Sequence, residues 1–252
     1  MSVNSILRGD IMKKILLSLI LFLFVINCFA ITGNDILNKI KTAESKLNCL
    51  EFNINPQGNK KKLANYGKQL DILADIKDGN VKYKKGNKIR IEGKIKNIKV
   101  SAIENGYKIK YNVGVLKGTM DKKDEPGKRY SSVDLCFLSS WLWANNKVTV
   151  LSTDANGICK CKFDPIQGGD EKRYDLIWID SKTLKMVRRE KYNTDGILKL
   201  IIVYKDWKEF LPGYFISTKY ETYTPKKELM GTNVITNIKV NNQLSDNLFS
   251  VN

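Results

Sequence analysis

Near the C-terminus the sequence reads Asp180-Ser-Lys-Thr-Leu-Lys-Met-Val-Arg-Arg-Glu-Lys-Tyr192, Asn193-Thr-Asp-Gly196, Ile197-Leu-Lys-Leu-Ile-Ile-Val-Tyr204. An Asp-Gly pair between two runs rich in β-branched and aromatic residues is typical of a β-hairpin. Leu211-Pro-Gly213 predicts the next turn, and strands over residues 214–223 and 233–240 and a closing segment over residues 244–249 follow. Residues 180–252 therefore predict one antiparallel meander with an apolar face to fill.

The N-terminal half predicts more strands of the same kind. Apolar and polar residues alternate over residues 70–76, 81–83, 89–91, 95–102 and 107–113, the period expected of half-buried strands. The turns between these strands are predicted at Asp78-Gly79, Gly86-Asn87 and Asn105-Gly106. The polar residues 53–65 predict a loop.

Further strands over residues 148–150, 158–163 and 174–179 bring the total to roughly ten. Each strand is expected to have one apolar face and one lysine-rich face. That pattern indicates an antiparallel sheet that is polar on its outer side.

Helices are predicted in two places only. Thr32-Gly-Asn-Asp35 can cap a helix that runs to about Leu47 with one apolar stripe. A second helix is predicted over residues 131–144, capped by Ser131 or Ser132. Its apolar stripe consists of Val133, Phe137, Leu138, Trp141 and Leu142.

Residues 1–30 have the pattern of an export signal. Met12-Lys13-Lys14 precedes an apolar run of twelve residues, Ile15 to Ile26, and Cys28-Phe-Ala30 supplies small residues before a cleavage point. We expect residues 1–30 to be removed, with residues 1–11 an over-extended start, and residues 31–252 to form a single domain. The alternatives are an uncleaved anchor and a lipoprotein whose Cys28 is lipidated.

The chain is strongly basic, with a formal net charge of +17. Residues 1–30 hold three basic residues and one acidic residue, so residues 31–252 carry +15. Such charge suits an anionic partner such as lipid headgroups or an acidic protein, or else a solvated lysine-rich surface. The export signal argues against nucleic acid.

The chain has no histidine, which excludes Ser-His-Asp and Cys-His catalysis and histidine-ligated zinc. No nucleophile–base pair can be identified, so the sequence predicts a protein that is not an enzyme and holds neither metal nor cofactor. Four cysteines remain after residue 30, either paired in disulfides or simply buried. They are Cys49, Cys136, Cys159 and Cys161.

Two helices are few to cover the inner face of a sheet this long. The aromatic central helix therefore either completes the core or acts as a lid over an apolar cavity suited to acyl chains. The candidate lid residues are Phe137, Leu138, Trp141 and Trp143. The candidate inner-face contacts are Ile89, Ile91, Ile109, Tyr111, Leu176 and Trp178.

In order and spacing, these segments resemble the LolA/LolB-like lipoprotein-sorting proteins. The resemblance rests on Asp35-Ile-Leu-Asn-Lys-Ile40, Tyr83-Lys-Lys-Gly-Asn-Lys-Ile-Arg-Ile-Glu92, Asn105-Gly106-Tyr107, the hairpin over residues 180–196 and Leu244-Ser-Asp-Asn-Leu-Phe249. It implies an α+β, mainly antiparallel fold, an unclosed half β-barrel with an α-helical lid.

The resemblance also implies a function. It is that of a periplasmic carrier, which binds lipid or lipoprotein acyl chains and helps to sort lipoproteins to the outer membrane, with a sorting partner in the inner or outer membrane. The alternative is a regulatory envelope protein of the same fold that binds an acidic protein partner. A third hypothesis, an exported enzyme that uses Cys159, Cys161 or carboxylates, conflicts with the absence of histidine.

Overall fold

The computed structural model describes residues 31–64, 75–124, 136–166 and 173–251. The predicted signal segment, including Cys28, lies outside the described residues. So do residues 70–74 of a predicted strand and residues 131–135 of the predicted central helix. Cleavage after residue 30 and the single-domain organisation stay predictions.

The described residues form thirteen strands, three α-helices and a 3-10 turn. In chain order they are α1 (Gly33–Glu44), β1 (Cys49–Gly58), α2 (Lys60–Ala64), β2 (Ile76–Lys84), β3 (Lys88–Ile95), β4 (Ile98–Asn105), β5 (Lys108–Val113), β6 (Leu116–Asp121), α3 (Ser140–Ala144), β7 (Asn146–Thr153), β8 (Ile158–Pro165), β9 (Tyr174–Asp180), β10 (Met186–Tyr192), β11 (Leu198–Leu211), β12 (Tyr214–Tyr223), β13 (Leu229–Val240) and the 3-10 turn Asp246–Phe249.

All thirteen strands belong to one antiparallel sheet in the order β6-β5-β4-β3-β2-β1-β13-β12-β11-β10-β9-β8-β7. The sheet consists of two meanders, β1–β6 and β7–β13, which are joined by the ladder between β1 and β13. The two outermost strands, β6 and β7, do not pair with each other in the described part of the chain, so the sheet does not close there. The predicted fold class, an unclosed antiparallel sheet with few helices, is confirmed.

The prediction of a loop over residues 53–65 is wrong for the described residues, because residues 53–58 belong to β1 and residues 60–64 form α2. Asn, Pro, Gln and Gly gave the segment the composition of a turn. Pro56 is tolerated because it pairs with Asn233 of β13, whereas the described ladder to β2 stops at Ile54. A proline lacks the backbone donor that a strand with two neighbours needs at every other residue.

The turn predicted at Asp78-Gly79 is also wrong, since both residues lie inside β2. The register between β2 and β3 shifts between Lys77 and Asn80, and Asp78 has φ of +53°. The Asp-Gly pair therefore forms a β-bulge rather than a hairpin. Gly79 is required there, since a Cβ atom would lie 2.6 Å from the carbonyl oxygen of Ile54.

Most other turns and strands agree with the prediction. Hairpins connect the strands at Gly86-Asn87 and Asn105-Gly106, and β12 spans the predicted residues 214–223. The hairpin at residues 193–196 joins β10 to β11. β11 and β13 are longer than expected, and the closing segment forms the 3-10 turn Asp246–Phe249.

Helix α1 begins as predicted but ends at Glu44, before Leu47. Its capping box is complete: Thr32 Oγ1 accepts from the Asp35 N–H at 3.2 Å, and the Asp35 carboxylate accepts from the Thr32 N–H at 2.8 Å. Ile36 and Ile40 are fully buried.

The predicted helix over residues 131–144 is reduced, among the described residues, to α3. An α-helix through residue 136 would need the Ser140 N–H to donate to the Cys136 carbonyl. Instead, the Cys136 carbonyl accepts from the Ser217 N–H at 2.8 Å, and the Ser140 N–H donates to Glu44 Oε1 at 2.9 Å. Tertiary hydrogen bonds therefore replace the helical one, and Phe137 and Leu138 precede the helix.

The two faces of the sheet are covered differently. We call the face on which α1, α3 and Phe137 lie the inner face, and the opposite one the outer face. On the outer face, Phe249 of the 3-10 turn is fully buried in a cluster with Cys49 and Ile103. Lys84 Nζ donates to the Leu244 carbonyl at 2.9 Å, which attaches the segment before the 3-10 turn to β2.

One outer-face carboxylate predicts a pH-dependent stability. Glu92 accepts from Arg90 Nη2 at 2.6 Å and from Lys82 Nζ at 2.8 Å. These bonds, that of Arg90 first, lower the pKa of Glu92 from 4.5 to about 2. Because the folded-state pKa is lowered, the stabilisation is present above pH 4.5 and is lost as pH falls towards 2.

We expect Glu92→Gln to lower the free energy of unfolding at pH 7, with the gap to the parent closing between about pH 4.5 and 2. Urea denaturation over that range measures it. Glu228→Gln is the control, because that exposed carboxylate has an ion pair at 3.7 Å and should contribute little. A gap that is independent of pH would contradict the assignment to charge.

Candidate functional site

The centre of the inner face is filled by one aromatic cluster around Phe137. Its ring centroid lies 6.0 Å from that of Tyr83 on β2, 5.6 Å from Phe210 on β11 and 5.8 Å from Tyr214 on β12. The three contacts are edge-on, the favourable geometry for aromatic pairs. Phe137 is 1% exposed, so this predicted lid residue belongs to the core and ties the two meanders together.

Leu138 is equally buried and is fixed through its backbone. The Tyr214 hydroxyl donates to the Leu138 carbonyl, and the neighbouring Cys136 carbonyl accepts from Ser217. Both partners belong to β12. The segment over residues 136–138 is therefore attached to the sheet and is part of its core.

Helix α3 is anchored through Trp143. The Trp143 ring packs edge-on against Phe163 of β8 at 4.9 Å between centroids, and its Nε1 donates to the Gly33 carbonyl at 3.1 Å. The side chain is 7% exposed. Trp143 thus joins α3, α1 and the sheet, and is also a core residue.

Trp141 differs from the other three predicted lid residues because it is only partly buried. Its ring contacts Tyr107, in the β4–β5 turn, at 5.5 Å between centroids. On its other side it lines an open groove of about 460 Å³ between α1, α3 and β7, together with Leu37, Trp143 and Val148. Trp141 therefore lies between this groove and the inner face of the N-terminal meander.

The inner face of β3–β6 is only partly covered. Ile89, next to the Phe137 cluster, is fully buried, but Ile91, Ile109 and Tyr111 are only partly buried. The Tyr111 ring lies directly over Gly118 of β6, where a Cβ atom would meet it. We call the surface formed by Ile91, Ile109, Tyr111 and Trp141 the open inner surface.

The prediction that Leu176 and Trp178 lie on the inner face is wrong. They pair with Lys162 and Lys160 on the outer face, while Cys161 and Ile177 face inwards. Lys160 Nζ lies 5.1 Å from the centroid of the Trp178 ring, a favourable cation–π contact. Residues 176–179 are all apolar, so the sequence does not show which of them point to the inner face. Only the pairing of the strands determines the face of each residue.

The sequence did not predict three charged residues of the inner face, Arg189, Asp175 and Glu104. Arg189 Nε donates to Asp175 Oδ2 at 2.7 Å, and both side chains are largely buried. Glu104 is also buried, between Ile89 and Ile109 on the neighbouring strands. A β-bulge between Met186 and Arg188 shifts the alternation, so Arg189 faces inwards where the regular pattern would predict otherwise.

All four cysteines after residue 30 are buried and free, so of the two predicted alternatives the structure has the buried one and not the disulfides. Burial raises the pKa of the Cys161 thiol to about 12. This thiol is therefore neutral at neutral pH and a poor nucleophile.

Within residues 31–64, 75–124, 136–166 and 173–251 no three His, Cys, Asp or Glu side chains are grouped as metal ligands would be. In the same ranges, no helix has both the length and the apolar character needed to cross a membrane.

The two tryptophans of α3 should respond differently to removal. Trp143→Ala is expected to lower the free energy of unfolding by about 3–5 kcal/mol, since it empties a buried site. Trp141→Ala should cost clearly less, because its ring borders an open groove. Denaturant unfolding of both variants checks this, and equal losses would show that Trp141 is also a core residue.

Comparison with known proteins finds similarity in structure but not in sequence, since no family model and no curated protein matches the chain. The chain is similar to a LolA superfamily protein of Nitrosomonas europaea, with a TM-score of 0.62 and 12% identity, over 88% of this chain and 98% of that one. It is similar to a DUF1329 family protein of Desulfovibrio piger, with a TM-score of 0.61 and 11% identity, over 87% and 96%.

A third similar structure is a domain described as an outer membrane lipoprotein-sorting protein, from Vibrio parahaemolyticus. The TM-score is 0.61 and the identity 12%, over 85% of this chain and 94% of that one. At such identities the likeness concerns the fold. The chain has a LolA-like fold.

Proposed function

We propose that this protein is a non-enzymatic carrier that binds the acyl chains of a lipid or lipoprotein on the open inner surface. One observation carries the proposal: the inner face is closed at its centre by Phe137, whereas over β3–β6 its apolar residues are only partly covered and its charged residue, Glu104, is buried. Phe137 is 1% exposed, while Ile91, Ile109 and Tyr111 all remain partly accessible.

Hydrocarbon binding needs apolar area and shape but little chemistry. Each 100 Å² of apolar surface removed from water contributes about 2.5 kcal/mol, and an acyl chain laid along three or four strands can bury several such areas. Trp141 can extend this surface towards the groove beside α1. Binding by burial alone is reversible, as a carrier requires.

The setting of this function is the bacterial cell envelope. The charged and apolar pattern of residues 12–30 supports export to the periplasm, and lipidation of Cys28 would instead attach the protein to a membrane. A protein of the same fold is described as an outer membrane lipoprotein-sorting domain, which supports lipoprotein as cargo. A membrane protein as sorting partner is part of the same proposal.

The test is a matched pair of substitutions on adjacent strands. Ile109→Asp places a charge on the open inner surface, while Thr119→Asp places it on the outer face of β6, where Thr119 pairs with Lys110. We expect the aspartate at position 109 to weaken binding of a fluorescent fatty acid at least tenfold, since the charge must be desolvated. The aspartate at position 119 should leave binding unchanged.

Two further measurements make the result decisive. Gently purified protein should contain co-purified lipid by mass spectrometry, and Trp141→Glu should reduce it while the unfolding midpoint is kept. Protein that is reproducibly empty, and that also ignores an added lipoprotein, would rule out the carrier function. Equal binding by both aspartate variants would place the lipid elsewhere.

A second function, binding of an acidic protein, is favoured by the outer face of β8–β10. There Lys160 and Arg188 lie 5.1 and 5.6 Å from the Trp178 ring centroid, and Lys162 lies 4.6 Å from that of Tyr174. If this surface binds an acidic partner, a pull-down from envelope extract should recover that partner, lose it in high salt and be unaffected by Ile109→Asp. This second function also requires that Lys160→Glu abolishes recovery of the partner.

A further inference from the structure

A group of exposed apolar residues lies at the tips of two adjacent hairpins. In the β5–β6 hairpin, Val115 is 97% exposed, Leu116 67% and Val113 42%. Ile98, at the start of β4, is 51% exposed, and its Cγ2 atom would lie 3.1 Å from a Cβ atom on Gly114. The two tips therefore touch. We call these four residues the apolar tip.

The charged residues of the two hairpin tips themselves, over residues 93–103 and 113–117, are all lysines. Lys96, Lys99 and Lys117 are exposed beside it, and Lys94 is nearby, paired with Asp78 at 3.0 Å. Residues 93–103 and 105–120 contain no aspartate or glutamate at all. An apolar projection flanked mainly by lysines is complementary to a surface that is anionic outside and apolar beneath. Lysine stems can extend along the apolar layer while the ammonium groups stay at the headgroups.

The topology places other exposed apolar residues at the same end of the sheet. In an antiparallel meander, alternate turns lie at the same end of the strands. The β3–β4, β5–β6, β8–β9, β10–β11 and β12–β13 connections share one end by this rule. Ile166, Ile197 and Leu229, exposed by 59%, 55% and 46%, lie at that end too.

We propose that the apolar tip docks this protein reversibly on an anionic lipid bilayer, with Val115 and Leu116 inserted among the lipids and Lys96, Lys99 and Lys117 at the headgroups. A protein partner fits less well, because the tip has neither an aromatic residue nor arginine, whereas protein interfaces are depleted in lysine and depend on Trp, Tyr and Arg.

Docking by the tip would place the Tyr111 end of the open inner surface nearest the bilayer, and the Trp141 end farthest from it. Ile109 and Tyr111 belong to the same β5–β6 hairpin as Val115. An acyl chain that leaves the membrane would therefore meet them first, a point that rests on the proposed function. The docking itself does not depend on that function, because it needs only the exposed residues of the tip.

The experiment is co-sedimentation of the protein with vesicles of phosphatidylglycerol and phosphatidylcholine, with pure phosphatidylcholine vesicles for comparison. The unmodified protein should bind the anionic vesicles, and the binding should fall when salt is raised. Val115→Asp with Leu116→Asp should weaken it at least about tenfold. Leu151→Asp is the matched control, since Leu151 is 50% exposed and lies on β7.

The lysines are tested by charge reversal. The triple variant Lys96→Glu, Lys99→Glu, Lys117→Glu should bind at least about a hundredfold more weakly, from roughly fivefold for each lysine. The matched triple Lys85→Glu, Lys182→Glu, Lys208→Glu changes net charge equally but lies at the opposite end of the strands, so it should retain most of the binding.

A reporter separates insertion from mere attraction. In Val115→Trp, the added indole should shift its emission to shorter wavelength on anionic vesicles and be quenched by brominated lipid. Docking by the tip is overturned if the Val115→Asp, Leu116→Asp variant binds anionic vesicles as well as the unmodified protein does, or if the two triple lysine variants bind them equally. It is also overturned if light scattering shows that the tip joins two copies of the protein in a dimer. If the unmodified protein binds the fluorescent fatty acid but does not bind the anionic vesicles, the docking is overturned and the carrier function stays intact.

Discussion

The ladder between β1 and β13 is the constraint on which the rest of the structure depends. It runs from Leu50 opposite Val240 to Gly58 opposite Gly231, whereas every other described pairing joins strands that follow one another in the chain. Hairpins form locally, but this ladder must close a loop of nearly the whole domain, at an entropic cost that grows only slowly with length. It turns two meanders into one sheet with one inner face, and Phe137 then seals the junction by touching Tyr83 on one side and Phe210 and Tyr214 on the other.

The inner face is filled unevenly, and the short length of α3 is the reason. The Cys136 carbonyl accepts from the Ser217 N–H, and the Ser140 N–H donates to Glu44. Because neither group is then available for a helical hydrogen bond, a single helical turn remains after Ser139. Residues two apart on a helix point in nearly opposite directions, so Trp143 enters the core while Trp141 faces the groove and Tyr107. The same local break thus produces a core anchor and an accessible aromatic side chain. A longer helix could have covered more of β3–β6, and the open inner surface would then be smaller.

The sequence predicted well those parts of the fold that are governed by local signals. The capping box at Thr32, the hairpins at Asn105-Gly106 and residues 193–196, and β12 follow from turn chemistry and alternation. The prediction from sequence failed where strand pairing in the folded protein outweighs the local composition. β1 looks like a loop because Asn, Pro and Gly dominate its second half, yet its two neighbours supply the ladders that make it a strand. Of the site, Phe137, Leu138 and Trp143 were predicted as lid residues but are buried in the core. Leu176 and Trp178 were assigned to the wrong face, because in four consecutive apolar residues the sequence does not show which ones face inwards.

Exposed apolar residues on a half-open sheet with free edge strands create a risk of self-association. The charge of this protein opposes that risk. Residues 31–252 carry +15, since residues 1–30 hold three basic residues and one acidic residue of a chain with +17, and Lys117 lies on the edge strand β6 itself. Two copies that approach through the β6 edge or the apolar tip bring lysines against lysines, so like-charge repulsion disfavours the pairing. An anionic surface is instead attracted by the same lysines. One distribution of charge can therefore keep the apolar residues exposed in solution and still direct them to a partner of opposite sign, which is why the high lysine content and the open hydrophobic surfaces are best understood together.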